Sequence, residues 1–413
     1  MAETDESELL SLPPEVLFHI LDLVGHRGLA TVRLVSKALL AAASDPMLYR
    51  RVSYKAAPGP TWKRLAAAPH VMAGVTCLEL GTWEADDHEY SQEASMFHDD
   101  LFLNLEWIAD QVAAGSLPHL VGLSLPSTDV QSRQLSCLPP SLTAIRLGLP
   151  ALVDDELDAL PSCLELLEVA CLGGAASLDR FGAFDRLRRL VVGSCRTEAF
   201  FDRMVGILAA SRCAGVLEAL SLDGAQPGGD GLWVDDVASL TALRELAFLS
   251  TSVQTIEEHM ASACPQLAVL QVSLTRKVVS LDLAAAFPDL VHLDLWSRLQ
   301  IDVEWPPRLQ TACLGALSRC VWAPPSVTVL LEACPDLRTL RVPTRQVATM
   351  ISLLSDLAPK RRHRLMVEVR SPSVDPEAVA DALADVAGLS VAASLSATVR
   401  WEPGSPVRFG VLG

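Results

Sequence analysis

Residues 117–147 read LPHLVGLSLPSTDVQSRQLSCLPPSLTAIRL, and they hold one phrase twice. Leu120, Leu123 and Leu125 stand as Leu-x-x-Leu-x-Leu, and Leu142, Ile145 and Leu147 repeat that spacing 22 residues later. Side chains alternate faces along a strand, so the second and third members point one way and the residue between them points the other. A short strand cannot cover its own leucines. A second copy laid beside it can, and a fixed period makes each copy the neighbour of the last.

Outward from this pair the phrase continues as Leu164-Leu167-Val169, Leu187-Leu190-Val192, Leu217-Leu220-Leu222 and Leu243-Leu246-Phe248. Leu267-Leu270-Val272 and Leu290-Leu293-Leu295 follow, with weaker copies at Leu309-Ala312-Leu314 and Leu337-Leu340-Val342. Val75-Leu78-Leu80 opens the series, and a further strand is expected at Leu365-Val367-Val369. From Leu123 onward the middle members lie 19 to 30 residues apart, and a leucine-rich repeat has a period of about 20–29 residues. The 45 residues from Leu78 to Leu123 fit two units if the weak apolar segment 101–108 supplies a strand. Helical stretches at 200–210, 256–263, 327–333 and 346–357 alternate with the strands, and Ala-Cys264-Pro-x-Leu and Ala-Cys334-Pro-x-Leu close two of them. The expected fold is α/β: an irregular leucine-rich-repeat horseshoe with a parallel sheet on its concave face and helices on its convex face. Many such repeats carry asparagine or cysteine three residues after the last strand leucine. Here only Cys195 fits, with Thr128, Thr251 and Thr275 as substitutes, and Asn104 is the single asparagine. Uneven curvature is expected from that departure.

Upstream, residues 9–54 read LLSLPPEVLFHILDLVGHRGLATVRLVSKALLAAASDPMLYRRVSY. Pro13 and Pro14 suit a helix start, where a missing N–H leaves no bond unmade. Glu15 in the first turn faces the positive end of the helix dipole. Val16, Leu17, Ile20, Leu21, Leu23 and Val24 then make a wide apolar face. Gly25 and Gly28 are read as the end of this helix, a second begins near Leu29, and Asp45-Pro46 breaks it before a last turn with Leu48, Tyr49 and Val52. A unit this small is marginal alone, so either the repeats or another protein covers its surplus apolar surface.

Leu12-Pro13-Pro14-Glu15-Val16-Leu17, Ile20-Leu21, Leu34-Val35-Ser36-Lys37 and Asp45-Pro46-x-Leu48-Tyr49 resemble the F-box pattern, with Tyr49 where the family often has tryptophan. The Ala-Cys-Pro-x-Leu phrase resembles the cysteine-containing repeats of F-box proteins. The resemblance implies an N-terminal three-helix F-box that docks on a Skp-type adaptor, and through it a cullin, while the repeats hold a target protein. That is the substrate-recognition subunit of an SCF (Skp–cullin–F-box) ubiquitin ligase, a receptor with no covalent chemistry of its own and no cofactor. It also implies an adaptor-binding surface drawn from Leu12, Pro13, Ile20, Leu21, Leu34, Val35, Leu48 and Tyr49, some of which belong inside the three helices. A ligase-independent interaction scaffold is the alternative, and a small-molecule receptor or enzyme using the horseshoe as a cradle is a third reading. The expected organisation is an acidic tail at 1–8, the F-box at 9–54, repeats over 55–397 with an acidic insertion at 84–100, and a hairpin-like cap at 398–413.

The net charge is −17, from 33 Lys and Arg against 50 Asp and Glu. Nucleic-acid binding needs cations that displace counterions, so no nucleic-acid partner is expected. No apolar run reaches the length of a membrane span, and the Ala-rich stretch 377–397 carries Glu377, Asp381 and Asp385 as an amphipathic helix would. The acidic N-terminus lacks the features of a secretory signal, and the ten cysteines include no Cys-x-x-Cys. Free thiols in the cytosol or nucleus follow. The basic run 360–364 reads as a solvated loop or, alternatively, a nuclear address. The acidic residues and His88 and His98 of 84–100 lack a metal-ligand spacing. The glycine-rich run 223–231 lacks the Gly-Lys-Ser/Thr ending of a phosphate loop.

The residues that alternate with buried strand leucines line the concave face. They include Glu168, Arg189, Asp223, Glu245, Gln271, His292, Asp294, Trp296 and Arg341. Strands about 4.8 Å apart give ten or eleven repeats a sheet of roughly 50 Å. Trp296 stands out as an aromatic anchor of the type that dominates interfaces; the alternative is a core tryptophan under the neighbouring loops.

Overall fold

The computed structural model describes residues 12–32, 34–54, 72–80, 108, 110–125, 135, 138–147, 157–169, 172, 176–193, 200–222, 225–228, 233–250, 255–274, 280–297, 301–316, 324–343, 366–370, 396–400 and 408–412. It has two compact units, 1–192 and 193–413.

The first unit opens with helix α1, Pro14–Val32, with Glu15 in its first turn. The helix runs through Gly25 and Gly28, where the sequence predicts an end. A glycine costs a helix about 1 kcal/mol relative to alanine, and packing on both sides outweighs that: Leu21 before the glycines and Leu29 after them are both buried. Helix α2, Lys37–Ala42, begins where the Ser36 hydroxyl accepts a hydrogen bond from the Leu39 N–H at 3.2 Å. A 3₁₀ turn, Pro46–Tyr49, follows, and the Tyr49 hydroxyl donates to the Ala43 carbonyl at 2.7 Å.

That turn leads directly into strand β1, Arg51–Tyr54, which the repeat pattern did not reveal. β1 pairs in parallel with β2, Cys77–Leu80. Beside β2 lie β3, Gly122–Leu125; β4, Ala144–Leu147; β5, Leu166–Val169; and β6, Arg189–Val192, each parallel to the one before. The registers align Leu78, Leu123, Ile145, Leu167 and Leu190 in one row. All five are buried. Because β2 pairs directly with β3, the expected strand at 101–108 is not inserted between them. The 45-residue spacing is one repeat carrying an insertion; within it Ile108 is buried, while 101–107 and the acidic run 84–100 lie outside the described residues.

In the second unit, helix α3, Phe200–Ala210, precedes β7, Ala219–Leu222. Helix α4, Val234–Ser239, leads to β8, Glu245–Ser250. A π-helical turn, Thr255–Met260, running into Ala261–Ala263 leads to β9, Val269–Leu274. Then come β11, His292–Ser297; β13, Thr311–Ala316; helix α6, Pro324–Ala333; β14, Thr339–Pro343; and β15, Met366–Arg370. Strands β7, β8, β9, β11, β13, β14 and β15 form a parallel sheet in that order. Strands β16, Ser396–Arg400, and β17, Arg408–Leu412, extend it antiparallel beyond β15. A second, two-stranded parallel pair, β10 at Ser280–Asp282 and β12 at Asp302–Glu304, sits between repeats and was not anticipated; helix α5, Leu283–Ala286, follows β10. The expected helix at 346–357, the basic run 360–364 and the stretch 377–395 lie outside the described residues.

Successive repeats are joined by a recurrent backbone device. At the entries of β2 to β6, β8, β9, β11, β13 and β14 two consecutive N–H groups share one carbonyl of the preceding repeat. Thr143 and Ala144 donate to Val121, and Glu165 and Leu166 to Thr143. In the second unit Val291 and His292 donate to Ala268, and Gln310 and Thr311 to Val291. Side chains beside these joints add further links: Thr76 to the Arg50 carbonyl at 2.9 Å, Ser141 to Leu120 at 3.0 Å, the Cys163 thiol to Pro140 at 3.1 Å and the Cys334 thiol to Pro306 at 3.3 Å. A chain with one asparagine thus holds its turns with serine, threonine and cysteine. Cys195, Thr128, Thr251 and Thr275 lie outside the described residues.

The glycine-rich loop before α4 is fastened from both sides. The Trp233 indole N–H donates to the Gly228 carbonyl at 2.9 Å, and the Gly228 N–H donates to the Asp202 carboxylate on α3 at 2.9 Å. Trp233 is buried, edge-on to Phe201 and to the His259 ring.

Among the described residues, Cys77, Cys163, Cys213, Cys264, Cys313 and Cys334 are in the thiol form, not in disulfides. Burial pushes the Cys264 thiol from 9.0 up to about 12. An unfolded chain therefore loses this proton at lower pH than the folded one does. Between pH 9 and 12 the folded state binds more protons, and stability falls as pH rises. Cys264→Ala is expected to melt with a shallower alkaline dependence over that window than wild type. Parallel slopes for the two proteins would contradict the burial effect.

Candidate functional site

The buried rows leave the alternate side chains on the open face of each sheet. In the second unit these stand in columns set by strand register. One column runs Glu245, Val269, His292, Thr311, Thr339. The next runs Ala247, Gln271, Asp294, Cys313, Arg341, and a third aligns Ser273, Trp296 and Gly315. The face thus gathers Glu245, Gln271, His292, Asp294, Trp296 and Arg341. Gln271, His292 and Arg341 are exposed; Glu245, Asp294 and Trp296 are half-buried. In the first unit, Glu168 and Arg189 share the corresponding face on β5 and β6. Asp223 lies outside the described residues.

Trp296 sits on the open face, and its register partner is Gly315. A Cβ placed on Gly315 would lie 2.1 Å from the indole Cδ2, so the ring lies across the backbone of β13. This is neither a core tryptophan nor a protruding one. It is a ring seated on the sheet because the neighbouring strand has no side chain there. Gly315→Ala is expected to displace the ring toward water, red-shifting tryptophan emission and costing about 1–3 kcal/mol as overpacking. The same substitution in a Trp296→Ala background should give no spectral shift. A shift that persists there would place its source at another tryptophan.

A recess on the first unit's face escaped the sequence reading. Cys77, Leu78, Gly122, Leu123, Ser124, Ala144, Arg146 and Leu166 line a notch of about 180 Å³. Its origin is subtraction. Gly122 and Ala144 occupy the same register position on adjacent strands, where Cys77 and Leu166 stand on either side. At its rim the Arg146 Nε lies 3.1 Å from the Glu168 carboxylate. The legible signal is a small residue, Gly122 and then Ala144, just before the first buried strand residue of two successive repeats.

In the N-terminal helices the eight proposed docking residues divide. Leu21, Leu48 and Tyr49 are buried within the unit. Pro13 is exposed and Leu12 and Ile20 are half-buried, while Leu34 is 86% and Val35 56% exposed. Val16, Leu23, Val24 and Leu40 are exposed large apolar residues of the same helices. Exposed large apolar side chains gathered in one short segment are what a partner-binding surface would present.

Among the described residues no helix is long and apolar enough to cross a membrane, and no group of three or more His, Cys, Asp or Glu could hold a metal ion.

A family model described as F-box-like matches residues 9–55. No curated protein sequence matches the chain. Similar solved structures include an internalin (inlF) from Listeria monocytogenes, 13% identical, covering 87% of this chain and 92% of that one at a TM-score of 0.41. Another is the leucine-rich repeat-containing protein LegL7 from Legionella pneumophila, 13% identical, covering 82% and 98% at a TM-score of 0.33. Scores this low carry no argument, and the fold rests on the repeat geometry itself. The chain thus joins an F-box-like segment at its N-terminus to stacked Leu-x-x-Leu-x-Leu strands in parallel register, the geometry of a leucine-rich-repeat fold.

Proposed function

We propose that the chain is the substrate-recognition subunit of an SCF-type ubiquitin ligase. The observation that carries the reading is the F-box-like segment with Leu34 and Val35 left in water. An apolar pair so placed is stabilised when a partner covers it, and a Skp-type adaptor is the partner that F-box segments generally take. The repeats then hold a target on their open faces, where Gln271, His292, Trp296 and Arg341 offer stacking, hydrogen bonds and charge. The chain contributes by position: a target held near a charged ubiquitin-conjugating enzyme presents its lysines at high effective concentration. The subunit itself is non-catalytic and acts in the cytosol or nucleus.

The test is affinity purification of the intact chain with cullin and proteasome activity blocked, followed by mass spectrometry. A Skp-type adaptor and a cullin recovered together support the reading. Adaptor without cullin assigns the chain to a ligase-independent scaffold, and neither partner overturns the docking role altogether.

A further inference from the structure

We infer that the notch on the open face of β2–β5 is a recognition pocket for a segment of a partner protein in which a leucine- or methionine-sized side chain lies beside a carboxylate. The inference rests on the repeats being a protein-binding surface, and does not depend on adaptor docking.

The pocket's size and lining select the apolar part. Gly122 and Ala144 leave open floor between Cys77 and Leu166, and the recess measures about 180 Å³. An apolar cavity of about 150 Å³ is enough to take a benzene ring, so one large aliphatic side chain fits here. Gly122 cannot be larger without moving its neighbour, since a Cβ there would lie 2.9 Å from the Cys77 sulfur. The wall is therefore a thiol resting over bare backbone.

The charge at the rim selects the carboxylate. Among the described residues lining the notch, Arg146 is the one that carries a charge. Its side chain is 43% exposed, and its Nε faces Glu168. A guanidinium carries five N–H donors in a fixed fork, so the terminal nitrogens can hold a second carboxylate while Nε keeps the first. The chain as a whole carries −17, and that field repels a strongly acidic ligand. A single carboxylate in an otherwise neutral or basic segment fits both conditions. The carboxylate can belong to an Asp or Glu side chain or to a chain terminus.

The test is selection of displayed peptide libraries on the full chain, one library with free C-termini and one with the random segment internal. Wild type is expected to select a Leu- or Met-sized residue within two positions of a carboxylate; the library that yields it tells terminus from side chain. Ala144→Leu fills the notch and should weaken the selected peptides at least tenfold. Arg146→Met should weaken them about ten- to a hundredfold, the range for hydrogen bonds to charged groups, and remove the carboxylate preference. Bound peptide should slow maleimide alkylation of Cys77, read by mass spectrometry on the unaltered protein, so the location is tested even if a variant folds poorly. Equal binding to Ala144→Leu folded by circular dichroism, an unchanged Cys77 rate, or no notch-dependent consensus would overturn the pocket. Adaptor recovery is a separate readout: its failure in wild type counts against the ligase reading and leaves these outcomes intact.

Discussion

Leu34→Asp combined with Val35→Asp is expected to abolish capture of a Skp-type adaptor while leaving thermal melting unchanged. Both side chains already face water, Leu34 at 86% exposure, so an aspartate at either position adds no burial cost to the folded chain. Under a docked partner the same carboxylates lose their water without gaining a partner, a cost of several kcal/mol. Two of them exceed what an ordinary interface can absorb, so a loss of more than about a hundredfold in affinity follows. Leu21→Asp is the contrasting substitution. Leu21 is buried between the helices, and a charge there should unfold the helical unit as well as end adaptor capture. Pull-down of purified adaptor beside a melting curve separates the cases. Full capture by the Leu34/Val35 double variant would remove this surface from the docking role.

Phe201→Ala is expected to lower the stability of the second unit by about 3–5 kcal/mol, the usual range for deleting a buried phenylalanine ring. The ring is fully buried on α3 and meets Trp233 edge-on at 5.5 Å and Phe248 at 5.8 Å. It therefore joins the helical layer, through Trp233, to the strand layer, through Phe248. Its loss leaves Trp233 without one wall and loosens the tether from that indole to Gly228. The denaturation midpoint with a constant m-value reads the effect. A loss below about 1 kcal/mol would mean that the site collapses around the gap.

The strands were legible because burial imposes a spacing that sequence cannot hide. Every Leu-x-x-Leu-x-Leu phrase of the series coincides with a strand, from Leu78 in β2 to Val367 in β15. What escaped was structure with too little periodic content to show. β1 is a single short strand without a leucine phrase, and β10 and β12 are three residues each. The end of α1 was misread because Gly25 and Gly28 are local signals, whereas Leu29 anchors the helix through contacts that are not local. The open-face columns followed from alternation alone, yet alternation says nothing about how a side chain lies. That Trp296 reclines on β13 depends on Gly315, which is 19 residues away in the chain and adjacent only through register. The notch has the same character: it exists where side chains are missing on two neighbouring strands.

The recurrent shared-carbonyl joint at strand entries has a bearing on how such a chain can be altered. Register is transmitted by a contact between two strand entries and not by the length of chain that connects them. Leu78 stays beside Leu123 across 45 residues, as Leu293 stays beside Ala312 across 19. Loop closure grows only slowly more costly with length. Segments between strands can therefore be lengthened, shortened or exchanged without shifting a column on the open face by a single position. For an engineer, the long connection from β2 to β3 is the first place to test insertion of a reporter or a foreign epitope. For a lineage, connecting segments and recognition columns can diversify on separate clocks.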